Sequence, residues 1–135
     1  MEFQVATLAS YAEIGQDGRV HMVGGCLDTL RSPTGFPITT SFPIFVVLYM
    51  LYPANECGKD YRLRVDLVRP DGAVLDSFDH VSSPPVSPDG RPSKVGFVIG
   101  MQGITFPAAG RYAVRVLHDE AEVKRMLLNV EEVAK

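Results

Sequence analysis

The sequence predicts an all-β fold, an antiparallel sandwich of about eight strands with immunoglobulin-like or related Greek-key topology. Three observations carry this expectation. Apolar residues recur with a period of two along most of the chain, as in half-buried strands. The breaks between such stretches carry Gly, Pro and Asp, which are turn residues rather than helix caps. The segment Thr105-Phe106-Pro107-Ala108-Ala109-Gly110-Arg111-Tyr112 reads as a tight corner that runs into a strand. In immunoglobulin-like sandwiches a tyrosine so placed ties its strand to upstream backbone through its hydroxyl. Pro107, Gly110 and Tyr112 are the expected structural residues of this corner.

The strands follow in order. Phe3–Ile14 and Arg19–Leu27 are joined by Gln16-Asp17-Gly18, and Gly24-Gly25 marks a kink in the second. Phe42 to Tyr52 is the longest apolar run, interrupted by Pro43 alone, and is far short of the ~20 residues of a spanning helix. It reads as a buried strand. Within it Ile44–Leu51 is apolar at both parities, so both faces need cover, whereas one sandwich core covers one. Tyr61, Leu63, Val65 and Leu67 alternate with Arg62, Arg64 and Asp66, and the two arginines are expected on a solvated outer face. In Arg69-Pro70-Asp71-Gly72-Ala73, Pro presets φ and Gly accepts φ > 0, which makes a turn into Val74–Phe78.

Val95, Phe97, Ile99 and Met101 share one parity, which flips to Ile104 and Phe106. One extra residue does this, so a β-bulge is expected near Gly103. The opposite face carries Gly96, Val98 and Gly100, small enough for another backbone to approach. Tyr112, Val114 and Val116 point inward on one strand, and Met126, Leu128 and Val130 on the next, across His118-Asp119-Glu120-Ala121. Glu120–Lys135 has helix-forming composition, but its alternation favours a strand.

The 135 residues fit a single domain spanning 1–135, large enough to bury a core without metals or disulfides. A formal charge of −3 argues against a nucleic-acid partner and against an anionic membrane surface. The first residues enter alternating sequence at once and lack the regions of a signal peptide. Cys26 and Cys57 read as reduced thiols, which fits the cytoplasm.

The order of the motifs resembles a family of small uncharacterised bacterial proteins, a domain of unknown function expected to be a β-sandwich. The matching residues are Val5-Ala6-Thr7-Leu8-Ala9-Ser10-Tyr11-Ala12, Gly18-Arg19-Val20 leading to Val23-Gly24-Gly25, and Phe42-Pro43 with its apolar strand. Val68-Arg69-Pro70-Asp71-Gly72 and Phe106-Pro107-Ala108-Ala109-Gly110-Arg111-Tyr112 complete the set, which spans most of the chain. The proline-rich loop and Cys57 depart from the pattern. The resemblance implies no catalytic residue.

No catalytic constellation stands out. His21, His80 and His118 lack a ligand spacing, and GxSxG is absent. Asp71, Asp76, Asp79 and Asp89 raise a calcium site, but Ca²⁺ needs six to eight oxygens, and too few are visible. Cys57 has Lys59 as its one cation nearby in sequence, and reads as an ordinary thiol.

The leading reading is a non-catalytic binding or assembly module with an unknown protein partner and no cofactor. A small hydrolase or metal-dependent enzyme, and a calcium-regulated sandwich, are the alternatives. The expected partner-binding element is the loop Ser82–Pro92, with Pro84, Pro85, Pro88, Asp89 and Arg91, expected to be mobile and dispensable for folding. The expected homodimer surface is Phe45, Val47 and Tyr49 with Gly96, Val98 and Gly100; cover by the chain's own loops or termini is the competing reading.

Overall fold

The alternating segments form strands throughout the computed structural model, which describes residues 1–133. They are β1 (Glu2–Ile14), β2 (Val20–Gly25), β3 (Thr29–Ser32), β4 (Ile38–Thr39), β5 (Ile44–Tyr52), β6 (Tyr61–Val68), β7 (Val74–Ser82), β8 (Ser93–Met101), β9 (Thr105–Phe106), β10 (Gly110–His118) and β11 (Ala121–Glu132). One sheet has the order β2-β1-β5-β8, the other β3-β11-β10-β6-β7, and β4 pairs with β9. The count exceeds the expected eight because β3, β4 and β9 are two to four residues long, too short to show a period. The second sheet is mixed rather than antiparallel, since β3 runs parallel to β11. Within Glu120–Lys135 the strand reading holds over Ala121–Glu132; 134 and 135 lie outside the described residues.

Both sheets turn one face toward a common core. Val46, Leu48 and Met50 of β5 meet Leu63, Val65 and Leu67 of β6 and Val114 and Val116 of β10 in one apolar cluster. Each such side chain contributes about 1.5–3 kcal/mol by leaving water.

The second face of β5 is covered from within the chain. The first half of β1 pairs with β5, from Glu2↔Leu51 to Ala9↔Phe45, and the second half pairs with β2, from Ala9↔Gly25 to Ile14↔Val20. Ala9 and Ala12 have opposite parity, yet both are buried with Val47 in a second small cluster. The strand therefore bends between them and carries the β1–β2 hairpin over the outer face. Tyr11 packs edge-on against Phe45 with ring centroids 5.5 Å apart, and Val20 and Val98 close the cluster.

This corrects the expected dimer surface. Val47 is fully buried, and Phe45, Tyr49, Gly96 and Val98 are half-buried under the hairpin; Gly100 stays exposed. The small residues do admit a close neighbour, but it belongs to the same molecule. A Cβ on Gly96 would lie 3.0 Å from the Tyr49 ring and 3.1 Å from Ile14 Cδ1.

The expected bulge at Gly103 is also corrected. β8 ends at Met101, and the chain passes Gly103 into β9, which pairs with β4 in a separate ladder. The parity flip records a change of partner strand. Gly24 has a φ of +63° at the expected kink.

At the corner, Tyr112 is buried and its hydroxyl donates to the Ala108 carbonyl at 2.7 Å. Its ring meets Phe106 edge-on at 4.9 Å. Gly110 is needed for space, because a Cβ there would lie 2.6 Å from Pro70 Cγ. The corner is thus wedged against the Pro70 turn.

Two outcomes follow. Tyr112→Phe removes one hydrogen bond and should lower unfolding free energy by about 1 kcal/mol in a denaturant titration. Gly96→Val should overpack the hairpin against Tyr49 and cost about 1–3 kcal/mol, with the loss read by the same titration.

Candidate binding cleft

Prolines shape the chain between β3 and β5. Pro33 and Pro37 have no N–H to give to a ladder, so the chain must leave β11 after Ser32. The Ser32 hydroxyl donates to the Gly35 carbonyl at 2.7 Å and closes the turn. The chain then returns through Ile38↔Phe106 and Thr39↔Thr105, and Thr40 N–H donates to the Ile104 carbonyl at 2.9 Å. Its path leaves a cleft of about 820 Å³ between β3 and the segment 38–42.

The floor of the cleft is apolar, with Leu30, Ile38, Phe106 and Val130. Phe42 stands at its wall, 51% exposed. Thr29, Ser32, Thr34, Thr39, Thr40 and Ser41, with Asp28, Arg31 and Pro33, line the rest. Thr40 Oγ1 is buried and has no hydrogen-bond partner among the described residues.

Among the described residues one wall is a free sheet edge. β3 is the outermost strand of its sheet. Asn129 N–H donates to the Asp28 carbonyl at 2.7 Å, and Val133 N–H to the Ser32 carbonyl at 3.0 Å. Alternate residues of a strand address alternate neighbours, so the backbone groups of Thr29 and Arg31 point away from β11. The charged residues lining the cleft are Asp28 and Arg31, and Arg31 Nε sits 3.3 Å from Glu131.

Nothing in the sequence pattern marks this cleft, because its walls come from residues with no periodic pattern. The proline-rich loop is built otherwise than expected. Its first residues are structural: Ser82 is fully buried, Pro84 is buried, and the Pro84 carbonyl accepts from Gly58 N–H at 2.8 Å. The segment 82–84 is therefore part of the packed fold, unlike a dispensable loop. Pro85, Pro88, Asp89 and Arg91 are exposed, and Arg91 pairs with Asp89 at 2.6 Å.

Two polar networks lie elsewhere. The fully buried Tyr52 places its hydroxyl 2.8 Å from Ser82 Oγ and 2.9 Å from His118 Nε2. His118 stacks on Tyr61 with centroids 4.7 Å apart. Burial lowers the His118 pKa below its ordinary 6.5, although Asp119 and Glu56 pull the other way. With Ser82 out of solvent contact, this serine and histidine form a structural network and offer no accessible nucleophile.

The second network corrects the solvated outer face. Asp66 is 2% exposed and accepts from Ser77 Oγ at 2.6 Å and from Arg115 at 2.8 Å, with Arg64 Nε 3.3 Å away. Burial pushes its carboxyl pKa up, but the two hydrogen bonds and the two guanidiniums outweigh it and hold it below the ordinary 3.8. Arg64 is thus partly covered and engaged, while Arg62 remains exposed beside Glu120.

The other candidates stay apart. Asp71 caps its own turn at Ala73 N–H, and Asp76 accepts from Ser77 N–H. Among the described residues no group of three or more His, Cys, Asp or Glu is placed to hold a metal ion. Cys26 is exposed, Cys57 is half-buried, and both are free. Among the described residues no helix is long and apolar enough to cross a membrane.

A family model matches residues 4–131, and the chain belongs to that family, a family of unknown function designated DUF6941. No curated protein matches the chain.

The lowered histidine pKa fixes a sign. As pH falls, the unfolded chain takes up its proton first, so stability is fullest above 6.5 and is lost as pH drops through the folded value. Unfolding free energy should decline from about pH 8 to about pH 5, and His118→Gln should flatten that slope. An unchanged slope in the variant would remove His118 as its cause. The lowered Asp66 pKa adds stability that persists above 3.8 and fades at more acidic pH.

Proposed function

We propose that this member of the family is a non-catalytic binding module whose partner seats in the cleft between β3 and the segment 38–42. One observation carries the reading: an unpaired sheet edge borders a cleft of about 820 Å³ with an apolar floor. Cavities of about 300–1,000 Å³ are typical ligand sites, and their apolar walls with a few polar groups provide both affinity and orientation. Phe42 supplies an exposed aromatic anchor of the kind enriched at interfaces.

The two free cysteines fit a reducing compartment, which supports a cytoplasmic setting. The covered face of β5 leaves the module without need of a second copy there.

The test compares two baits in extracts of the native cell. Phe42 is exposed, so Phe42→Asp leaves the core intact while placing a charge in the cleft wall. A partner retained by the native chain should be depleted at least about tenfold on the variant, since a buried unpaired charge costs several kcal/mol. Equal retention by both baits would refute the cleft as the binding site.

A further inference from the structure

We propose that Asp89 is a site of spontaneous isoaspartate formation, where the chain comes to present a carboxylate for enzymatic methylation. The fold confines this chemistry to one of three matching dipeptides. The proposal is independent of the cleft.

Asp-Gly occurs at 17–18, 71–72 and 89–90. Its chemistry is intrinsic to the backbone. The Gly main-chain nitrogen attacks Cγ of the aspartic acid. An N–Cγ bond forms, the amide proton and the carboxyl hydroxyl leave together as water, and a five-membered succinimide closes. Water then reopens the ring. Cleavage of the N–Cγ bond restores aspartate. Cleavage between that nitrogen and the Asp main-chain carbonyl carbon routes the chain through the side chain and frees an α-carboxylate. Water is the one co-reactant, and nothing is oxidised. Glycine favours the attack because no Cβ hinders its nitrogen. The freed carboxylate is the acceptor that isoaspartyl methyltransferases esterify, taking the methyl of S-adenosylmethionine and leaving S-adenosylhomocysteine.

Exposure does not separate the three sites. The side chains of Asp17, Asp71 and Asp89 are 51%, 60% and 51% exposed. The glycine that follows has a φ of +78°, +90° and +72°.

What differs is the backbone around the turn. Gly18 N–H donates to the Gly15 carbonyl at 3.0 Å, inside a second bond from Gly15 N–H to the Arg19 carbonyl at 2.8 Å. Arg19 N–H holds Asp17 Oδ1 at 3.0 Å. The turn at 69–73 repeats the arrangement. Gly72 N–H donates to the Arg69 carbonyl at 2.9 Å, Arg69 N–H to the Ala73 carbonyl at 2.8 Å, and Ala73 N–H to Asp71 Oδ1 at 3.0 Å. These turns close the β1–β2 and β6–β7 pairs. Nucleophile and carboxyl are each pinned by a main-chain bond, so ring closure must first open the end of a hairpin.

Asp89 has no such clamp. Its loop joins β7 to β8, which lie in different sheets, so no ladder closes around it. Gly90 N–H keeps one bond, to the Ser87 carbonyl at 3.1 Å. Among the described residues no main-chain N–H donates to the Asp89 carboxylate. The Ser87 hydroxyl and the Arg91 guanidinium hold it instead. The Arg91 side chain is 80% exposed, and a pair so open to solvent restrains little.

The test incubates the full chain at neutral pH and physiological temperature, both folded and in guanidinium chloride. One readout is resistance to an endoproteinase that cuts before aspartate but not before isoaspartate. The other is methyl incorporation from labelled S-adenosylmethionine by an isoaspartyl methyltransferase, with the labelled peptide identified by mass spectrometry. In the folded chain, conversion at 89 should run at least about tenfold faster than at 17 or 71, because two more main-chain bonds must open at each hairpin. In denaturant the three rates should become comparable. Asp89→Glu, at an exposed loop position, would need a slower six-membered closure and should abolish methylation of the folded chain. The proposal is overturned if the folded chain converts at 17 or 71 as fast as at 89, or at none of the three. It is equally overturned if the preference for 89 persists in denaturant, or if Asp89→Glu is methylated as before.

Discussion

The constraint on which the rest of the structure depends is that β5 is apolar on both of its faces. A strand of this composition is stable only when water is kept from both sides. One side is sealed in the ordinary way by the opposing sheet. The other requires a second layer, and the chain supplies it by bending β1 after Ala9 and laying the β1–β2 hairpin across Val47. The small residues follow from this. Ala9 and Ala12 lie where the bent strand meets β5, and Gly96 lies where Ile14 arrives. Left bare, the same surface would be an aggregation site.

A polar constraint matches the apolar one. Burial of Asp66, Tyr52 and Ser82 is tolerable because each polar atom finds a partner, and the partners come from different strands. Asp66 of β6 joins Ser77 of β7 and Arg115 of β10, so its network fixes the register of three neighbouring strands. Tyr52 of β5 joins Ser82 of β7 and His118 of β10, so its network ties the two sheets together at one end. Removal of one partner would leave an unpaired group in a dry site, which costs more than the bond itself.

Most of the fold was legible in the sequence because it rests on period-two patterning and turn chemistry, both local. Tyr61–Leu67, the Pro70 turn and the Tyr112 corner all read directly from neighbouring residues. The need to cover β5 twice was equally legible. Its solution was not, since a bend within β1 depends on how Ala9 and Ala12 pack against Val47, a contact some forty residues away in sequence. The parity change after Gly103 was visible but ambiguous, because a bulge and a transfer to another ladder leave the same mark. The cleft was not legible at all. Its walls are β3 and β4, of four and two residues, and its shape follows from where Pro33 and Pro37 force the chain to go.

The same shortness explains why the cleft persists. β3 is held by a parallel ladder on one side alone, and its two ends are fixed by the Asn129 bond to Asp28 and the Val133 bond to Ser32. Pro33 has no N–H with which to extend the ladder on β11, and β4 pairs with β9 rather than with β3. Each wall is thereby stabilised by a partner on its far side, and neither can collapse onto the other without breaking a ladder. The opening is thus a consequence of the topology. An edge strand kept this way retains main-chain donors and acceptors that the fold itself does not use, and this is what leaves room for a binding role in a domain whose other buried polar side chains are largely engaged.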